Sequence, residues 1–122
     1  MQKARSGYSF TSMFDRKAFD LIAAGDRDLG RQVADLFRDD CLHLLEEMEA
    51  ALLRADDAAV RRVGHTLKST CLTVGAIGAS RIGKRIEDGG ITVIRERLHE
   101  LEPLLAEVFL WLDEIADTLQ PS

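Results

Sequence analysis

The sequence predicts an all-α fold: an antiparallel four-helix bundle with an additional short N-terminal helix. Apolar residues recur in steps of three and four along most of the chain, aspartates and glycines sit at the ends of these periodic runs, and no segment alternates as a strand does. With 122 residues, 46% of them hydrophobic, the chain suits one domain that buries a core without metal or disulfide staples.

Residues 1–13 are polar, with Ser6, Gly7, Ser9, Thr11 and Ser12, and lack both periodicity and the apolar core of a signal peptide. They read as a flexible leader to a domain spanning residues 14–120. Asp15 is placed to cap a first short helix, Phe14 and Phe19 to staple its first turn, and Gly25 to end it. Asp26 caps a second, long helix, in which Leu29, Val33, Leu36, Phe37, Cys41, Leu44, Leu45, Met48 and Leu52 keep to one broad stripe as far as about Arg54. Asp56 or Asp57 caps a third helix with the seam Val60, Val63, Leu67, Thr70 and Val74, and Gly75 stops it. A fourth carries Ile82 and Ile86 and halts at Gly89-Gly90. In the fifth, Ile91, Ile94, Leu98, Leu101, Leu105, Val108, Leu112, Ile115 and Leu119 form a heptad seam. Pro103 costs about 3 kcal/mol in a straight helix interior. The seam keeps its phase across the proline, so one helix kinked after Leu101 is expected. Short connections between such helices imply antiparallel neighbours.

Composition narrows the function. Cys41 and Cys71 lie among apolar residues at helical spacing and read as buried thiols in a reducing compartment. No apolar stretch approaches the ~18 residues of a membrane span, so a soluble, cytoplasmic protein without a membrane partner is expected. A net charge of −5 argues against nucleic acid as a partner. The charge is nonetheless segregated: no acidic residue occurs between Ala58 and Ile86, where Arg61, Arg62, Lys68, Arg81, Lys84 and Arg85 all fall. Such a stretch points to an anionic ligand.

At 100° per residue, His65 points away from the seam of its own helix, so packing does not explain it. Imidazole, whose unperturbed pKa is about 6.5, has one ring nitrogen free as a nucleophile at neutral pH, so an outward histidine suits acceptance of a phosphoryl group. Lys68, one turn on, can set its ammonium beside the phosphoryl oxygens. Ser69 and Leu72 share this face, the first as a hydrogen-bond donor and the second as an exposed apolar docking contact.

Three other readings fare worse. Gly78-Ala79-Ser80-Arg81-Ile82-Gly83-Lys84-Arg85 matches a phosphate-binding loop except at its last position, but it has helical spacing and no strand before it. Without a nucleotide site, the chain must borrow its phosphoryl group. Glu96-Arg97-Leu98-His99 is the Glu-x-x-His of di-iron bundles; one copy does not make such a site, Leu98 between its members faces the core, and no metal ligand is assigned. His43 shares no helix face with Cys41. A pure adaptor without chemistry leaves the His65–Lys68 pair unexplained.

The stretch Gly64-His65-Thr66-Leu67-Lys68-Ser69-Thr70-Cys71-Leu72-Thr73-Val74-Gly75-Ala76, followed by Ile82, Ile86 and Glu87, resembles the histidine-containing phosphotransfer (HPt) domain family of bacterial phosphorelays, from Asp15 onward. The resemblance implies a four-helix bundle with an extra N-terminal helix, His65 as phosphorylated residue, Lys68 as its electrostatic partner, and Gly75 as the small residue closing the active-site helix. It implies a monomeric phosphocarrier, not an enzyme in its own right, that passes phosphoryl groups between receiver domains of response regulators or a hybrid histidine kinase. No cofactor is implied for this chain, and Mg²⁺ belongs to the receiver alone. Docking is expected around Leu72 with Arg61, Arg62, Arg81 and Lys84 at the rim. An N-terminal phosphotransfer domain of the chemotaxis-kinase type, fed by a catalytic domain, is the alternative. The chain departs from the family at Gly64, where alanine is usual, at Ser69, where glycine is usual, and at Leu72, where a small residue is usual. The bulkier Ser69 and Leu72 narrow the approach to the imidazole and bear on which receiver docks.

Overall fold

In a computed structural model, which describes residues 13–121, the chain folds as five helices: α1 (Arg16–Ala23), α2 (Arg27–Leu53), α3 (Asp57–Thr73), α4 (Ile77–Gly89) and α5 (Ile91–Asp117). The leader expected over residues 1–13 lies, but for Met13, outside the described residues.

Each of the first three helices begins at an aspartate whose side chain takes up an orphan amide of the first turn. Asp15 accepts from Lys17 N, Asp26 from Leu29 N and Asp56 from Ala59 N, which settles the cap of α3 on Asp56. The chain turns where the backbone enters the left-handed region: at Ala24 and Gly25 after α1, Ala55 after α2, Gly75 after α3 and Gly90 after α4.

Helices α2 to α5 close a ring in which α2 packs on α3 and α5, α3 on α4, and α4 on α5, with α1 laid across α2 and α3. Connections of one to three residues between successive ring helices force them antiparallel. Two isolated bridges pin the ends, Phe14 to Ala76 and Asp26 to Gln120, and the second sets the start of α2 beside the residues after α5. Phe14 and Phe19, expected to staple the first turn, both meet Trp111: Phe14 stacks on it at 4.3 Å and Phe19 tilts against it at 6.2 Å.

The core holds Phe19, Met48, Leu67, Ile86, Ile94, Leu101, Leu105 and Leu112, each fully buried and stabilising the fold by roughly 1.5–3 kcal/mol. The heptad seam of α5 is wider than expected, for Leu104 and Trp111 are buried beside it, and the helix runs unbroken through Pro103. The expected stripe of α2 needs correction. Leu29 and Leu36 face outward, Leu36 being 59% exposed, and Gly30, Ala34 and Ala51 take the buried positions. Close helix contact favours these small residues: a Cβ on Gly30 would stand 2.8 Å from Leu119 Cδ1. Cys41 and Cys71 are buried free thiols, and burial pushes Cys41 up to about 12.

Candidate functional site

The site arises where α3 and α4 touch backbone to backbone. A Cβ on Gly83 would lie 2.6 Å from Lys68 N and 2.9 Å from Gly64 O; one on Gly64 would lie 2.7 Å from Glu87 N. Each glycine therefore admits the opposite helix to a distance that any side chain would forbid. Gly64, a departure from the family pattern, is explained by this contact. Because the pair is antiparallel, the contact brings Glu87, near the end of α4, alongside His65 and Lys68 in the middle of α3.

Glu87 holds both. Its Oε2 lies 2.6 Å from His65 Nδ1, and its Oε1 accepts from Lys68 Nζ at 2.9 Å. An ionised carboxylate only accepts hydrogen bonds, so in the neutral imidazole Nδ1 carries the proton and Nε2 keeps its lone pair. Nε2 has no partner among the described residues, and the His65 side chain is 58% exposed. Sequence and structure agree that this imidazole faces outward. Lys68 is more sheltered, with 25% of its side chain exposed.

Hydrogen bonds from Lys68, and next from His65, hold the Glu87 carboxyl below its ordinary range. A carboxylate whose folded pKa is depressed adds stability above its unfolded value, about 4.3 for Glu, and that stability fades as pH falls through the lower folded value. Thermal melts between pH 7 and pH 3 should therefore show Glu87→Gln losing less stability on acidification than the wild type. Parallel curves would remove Glu87 from the acid response.

The remaining expected site residues divide into two groups. Arg61, proposed for the docking rim, is tied down: its Nε donates to Asp57 Oδ2 at 2.7 Å, and its Nη1 to the carbonyls of Asp88 at 2.6 Å and Glu87 at 3.3 Å. Lys84 pairs with Asp88 at 3.1 Å, and Gly75 is structural, with φ +85° and its carbonyl accepting from Asp15 N at 2.7 Å. A Cβ on Gly75 would stand 2.1 Å from Asp15 O. The others are exposed. Leu72 is 47% exposed, Ser69 donates to the His65 carbonyl at 3.3 Å, and Arg62 is exposed one turn before His65. Arg81 is exposed and reaches the Met13 sulfur at 3.3 Å.

Beside this face lies an apolar groove of about 360 Å³ whose walls include Ile22, Leu29, Val33 and Leu36, with Thr70 and Thr73 on the α3 side. Leu29 and Leu36, the leucines of α2 expected in the core, line it. The segment resembling a phosphate-binding loop lies inside α4 and is helical throughout, so it has no loop with which to cradle a phosphate. Among the described residues no group of three or more His, Cys, Asp or Glu is placed to hold a metal ion.

Glu87 is the member of this cluster to which the sequence alone gives no role. It was visible as the first acid after the basic stretch, and a spacing of 22 residues from His65 hides the contact until α3 and α4 are folded together.

Residues 32–120 match the family model for the Hpt domain. The chain belongs to the Hpt domain family, the histidine phosphotransfer domains of two-component phosphorelays, which are phosphocarriers rather than catalysts and interact with receiver domains of response regulators. The match leaves α1 and the first turn of α2 outside it, so it is shorter than the resemblance read from Asp15 onward. Comparisons with curated proteins and with solved structures gave no match. No helix among the described residues is long and apolar enough to cross a membrane.

Proposed function

We propose that this chain carries a phosphoryl group on His65 between the aspartates of receiver domains. The observation that carries this reading is the imidazole itself, held by Glu87 at Nδ1 and open at Nε2. In the forward step the Nε2 lone pair attacks the phosphorus of a receiver's aspartyl phosphate. The N–P bond forms, the bond from phosphorus to the carboxylate oxygen breaks, and the aspartate leaves as a carboxylate. The ring keeps its Nδ1 proton and becomes cationic, and the Glu87 carboxylate beside that proton offsets the new charge. Transfer to the next receiver runs the same step in reverse. On this reading the chain acts as a cytoplasmic monomer, with Mg²⁺ bound by its receiver partners alone. The test is incubation with a labelled phosphoreceiver and Mg²⁺, which should leave acid-labile, base-stable label on this chain. Absence of transfer from any phosphoreceiver or small-molecule donor would defeat the proposal.

Lys68 has three donors and gives one to Glu87, which leaves the rest of its ammonium for the phosphoryl oxygens. Lys68→Ala should fold normally and transfer about tenfold more slowly, or hold its phosphohistidine for a shorter time, because a charge-assisted contact to the phosphoryl group is lost. Rapid-quench transfer kinetics and a phosphohistidine decay curve check this; wild-type values in both would take Lys68 out of the mechanism.

The docking face on this account is centred on Leu72 and continues into the groove walled by Leu29 and Leu36, with Arg62 and Arg81 at its rim. A receiver meets it with apolar residues around an acidic phosphoacceptor pocket. Leu72→Asp should weaken receiver binding about tenfold or more by charging the apolar centre. Arg62→Glu should act chiefly on the association rate, and less at high salt. Titration of the receiver at two ionic strengths measures both, and wild-type affinity in Leu72→Asp would move the docking face elsewhere.

A further inference from the structure

The C-terminal turn of α4 is held from the first two turns of α3. A helix end leaves its last carbonyls without intrahelical donors. In α4, Gly90 N fills the Ile86 carbonyl at 2.7 Å, and the Arg61 guanidinium fills those of Glu87 and Asp88 at 3.3 and 2.6 Å. Arg61 is itself fixed by Asp57 Oδ2 at 2.7 Å. The other oxygen, Asp57 Oδ1, accepts from Ile91 N at 2.9 Å, which caps α5 where Gly90, its own N-cap, has no side chain to offer. Gly90 leaves room for this bond, since a Cβ there would stand 2.0 Å from Asp57 Oδ1. One ion pair thus grips both sides of the α4–α5 turn, and one of the carbonyls in its grip belongs to Glu87.

We infer that Asp57 and Arg61 form a clamp that sets Glu87 in register with His65, so that Arg61 is a positioning residue for the phosphotransfer site and not a contact for the receiver. The inference rests on the phosphocarrier reading of His65 for its effect on transfer, but not for its effect on the imidazole. Holding the Glu87 backbone fixes where its side chain starts. From there the carboxylate has to reach His65 Nδ1 and Lys68 Nζ together, at 2.6 and 2.9 Å. Arg61 suits the task because its planar fork serves Asp57 through one nitrogen and two carbonyls through another; lysine has a single ammonium for all three. A cation at a helix C-terminus is also favoured by the helix dipole.

The test compares Arg61→Met, Arg61→Lys and, as control, Arg38→Met, which breaks the Arg38–Asp113 pair between α2 and α5, away from the site. The side-chain nitrogen resonances of His65 report its tautomer without any phosphoryl transfer, and phosphoramidate serves as a donor that needs no receiver docking. The wild type should show the Nδ1–H form. In Arg61→Met the resonances should move toward a mixture of tautomers and phosphorylation by phosphoramidate should slow about tenfold, as expected when an orienting partner is lost. Arg61→Lys should fall between that variant and the wild type, and it decides the matter if Arg61→Met does not fold. Arg38→Met should leave tautomer and rate unchanged. Wild-type nitrogen resonances and rate in the folded Arg61 variants, whatever their stability, would overturn the clamp and return Arg61 to a purely structural role. If the tautomer responds to Arg61 while wild-type His65 accepts no phosphoryl group, the clamp stands and the phosphocarrier reading fails.

Discussion

His65→Gln should bring labelling by a phosphoreceiver down to background while leaving the fold intact. The imidazole is exposed, and the glutamine amide can donate to Glu87 as Nδ1 does, so stability should change by no more than about 0.5 kcal/mol. What is lost is the nucleophile, for an amide nitrogen has no free lone pair with which to attack phosphorus. Acid-labile label on the variant, or its appearance on His43 or His99, both of them exposed, would place the acceptor elsewhere.

Gly83→Val should cause the largest loss of stability of any substitution considered, and should damage the site with it. Even a Cβ at this position would stand 2.6 Å from Lys68 N and 2.9 Å from Lys68 Cα, and backbone atoms cannot swing aside as a side-chain tip can. The two γ-methyl groups of valine add further overlap, so α4 must move off α3 at a cost of about 3 kcal/mol. Glu87 leaves with α4, and both His65 and Lys68 lose their partner. Chemical denaturation together with the phosphotransfer rate checks this. Wild-type stability would mean that the two helices stand farther apart than the geometry gives.

Sequence-adjacent signals were the legible ones. Asp15, Asp26 and Asp56 each bond an amide two or three residues ahead, and Gly75 and Gly90 turn the chain where they stand, so the starts of the first three helices and the ends of α3 and α4 follow from local chemistry. His65 stood out because it broke the period of its own helix, and Lys68 because it follows by one turn. Contacts between helices were hidden. In the sequence Gly64 is only a departure from the family pattern; in the fold Glu87 N stands 2.7 Å from where its Cβ would be. Arg61 read as part of a free basic surface because its partners are Asp57, just before the stretch without acids, and two backbone carbonyls that no composition count can show. On α2, hydrophobicity favours Leu29 and Leu36 for the core, whereas the buried positions go to Gly30, where a Cβ would meet Leu119, Ala116 and Ala23, and to Ala34. Residue type tells which faces are apolar, and the packing of the helices on one another decides which of those faces are buried.

The most direct measurement is the position of the phosphoryl group on the imidazole ring. Glu87 occupies Nδ1, so the account places phosphorus on the other nitrogen. Nuclear magnetic resonance of the nitrogen-labelled, phosphorylated protein should show phosphorus coupled to Nε2 of His65 with the proton retained on Nδ1. A phosphoryl group on Nδ1, or on any residue other than His65, would contradict the account.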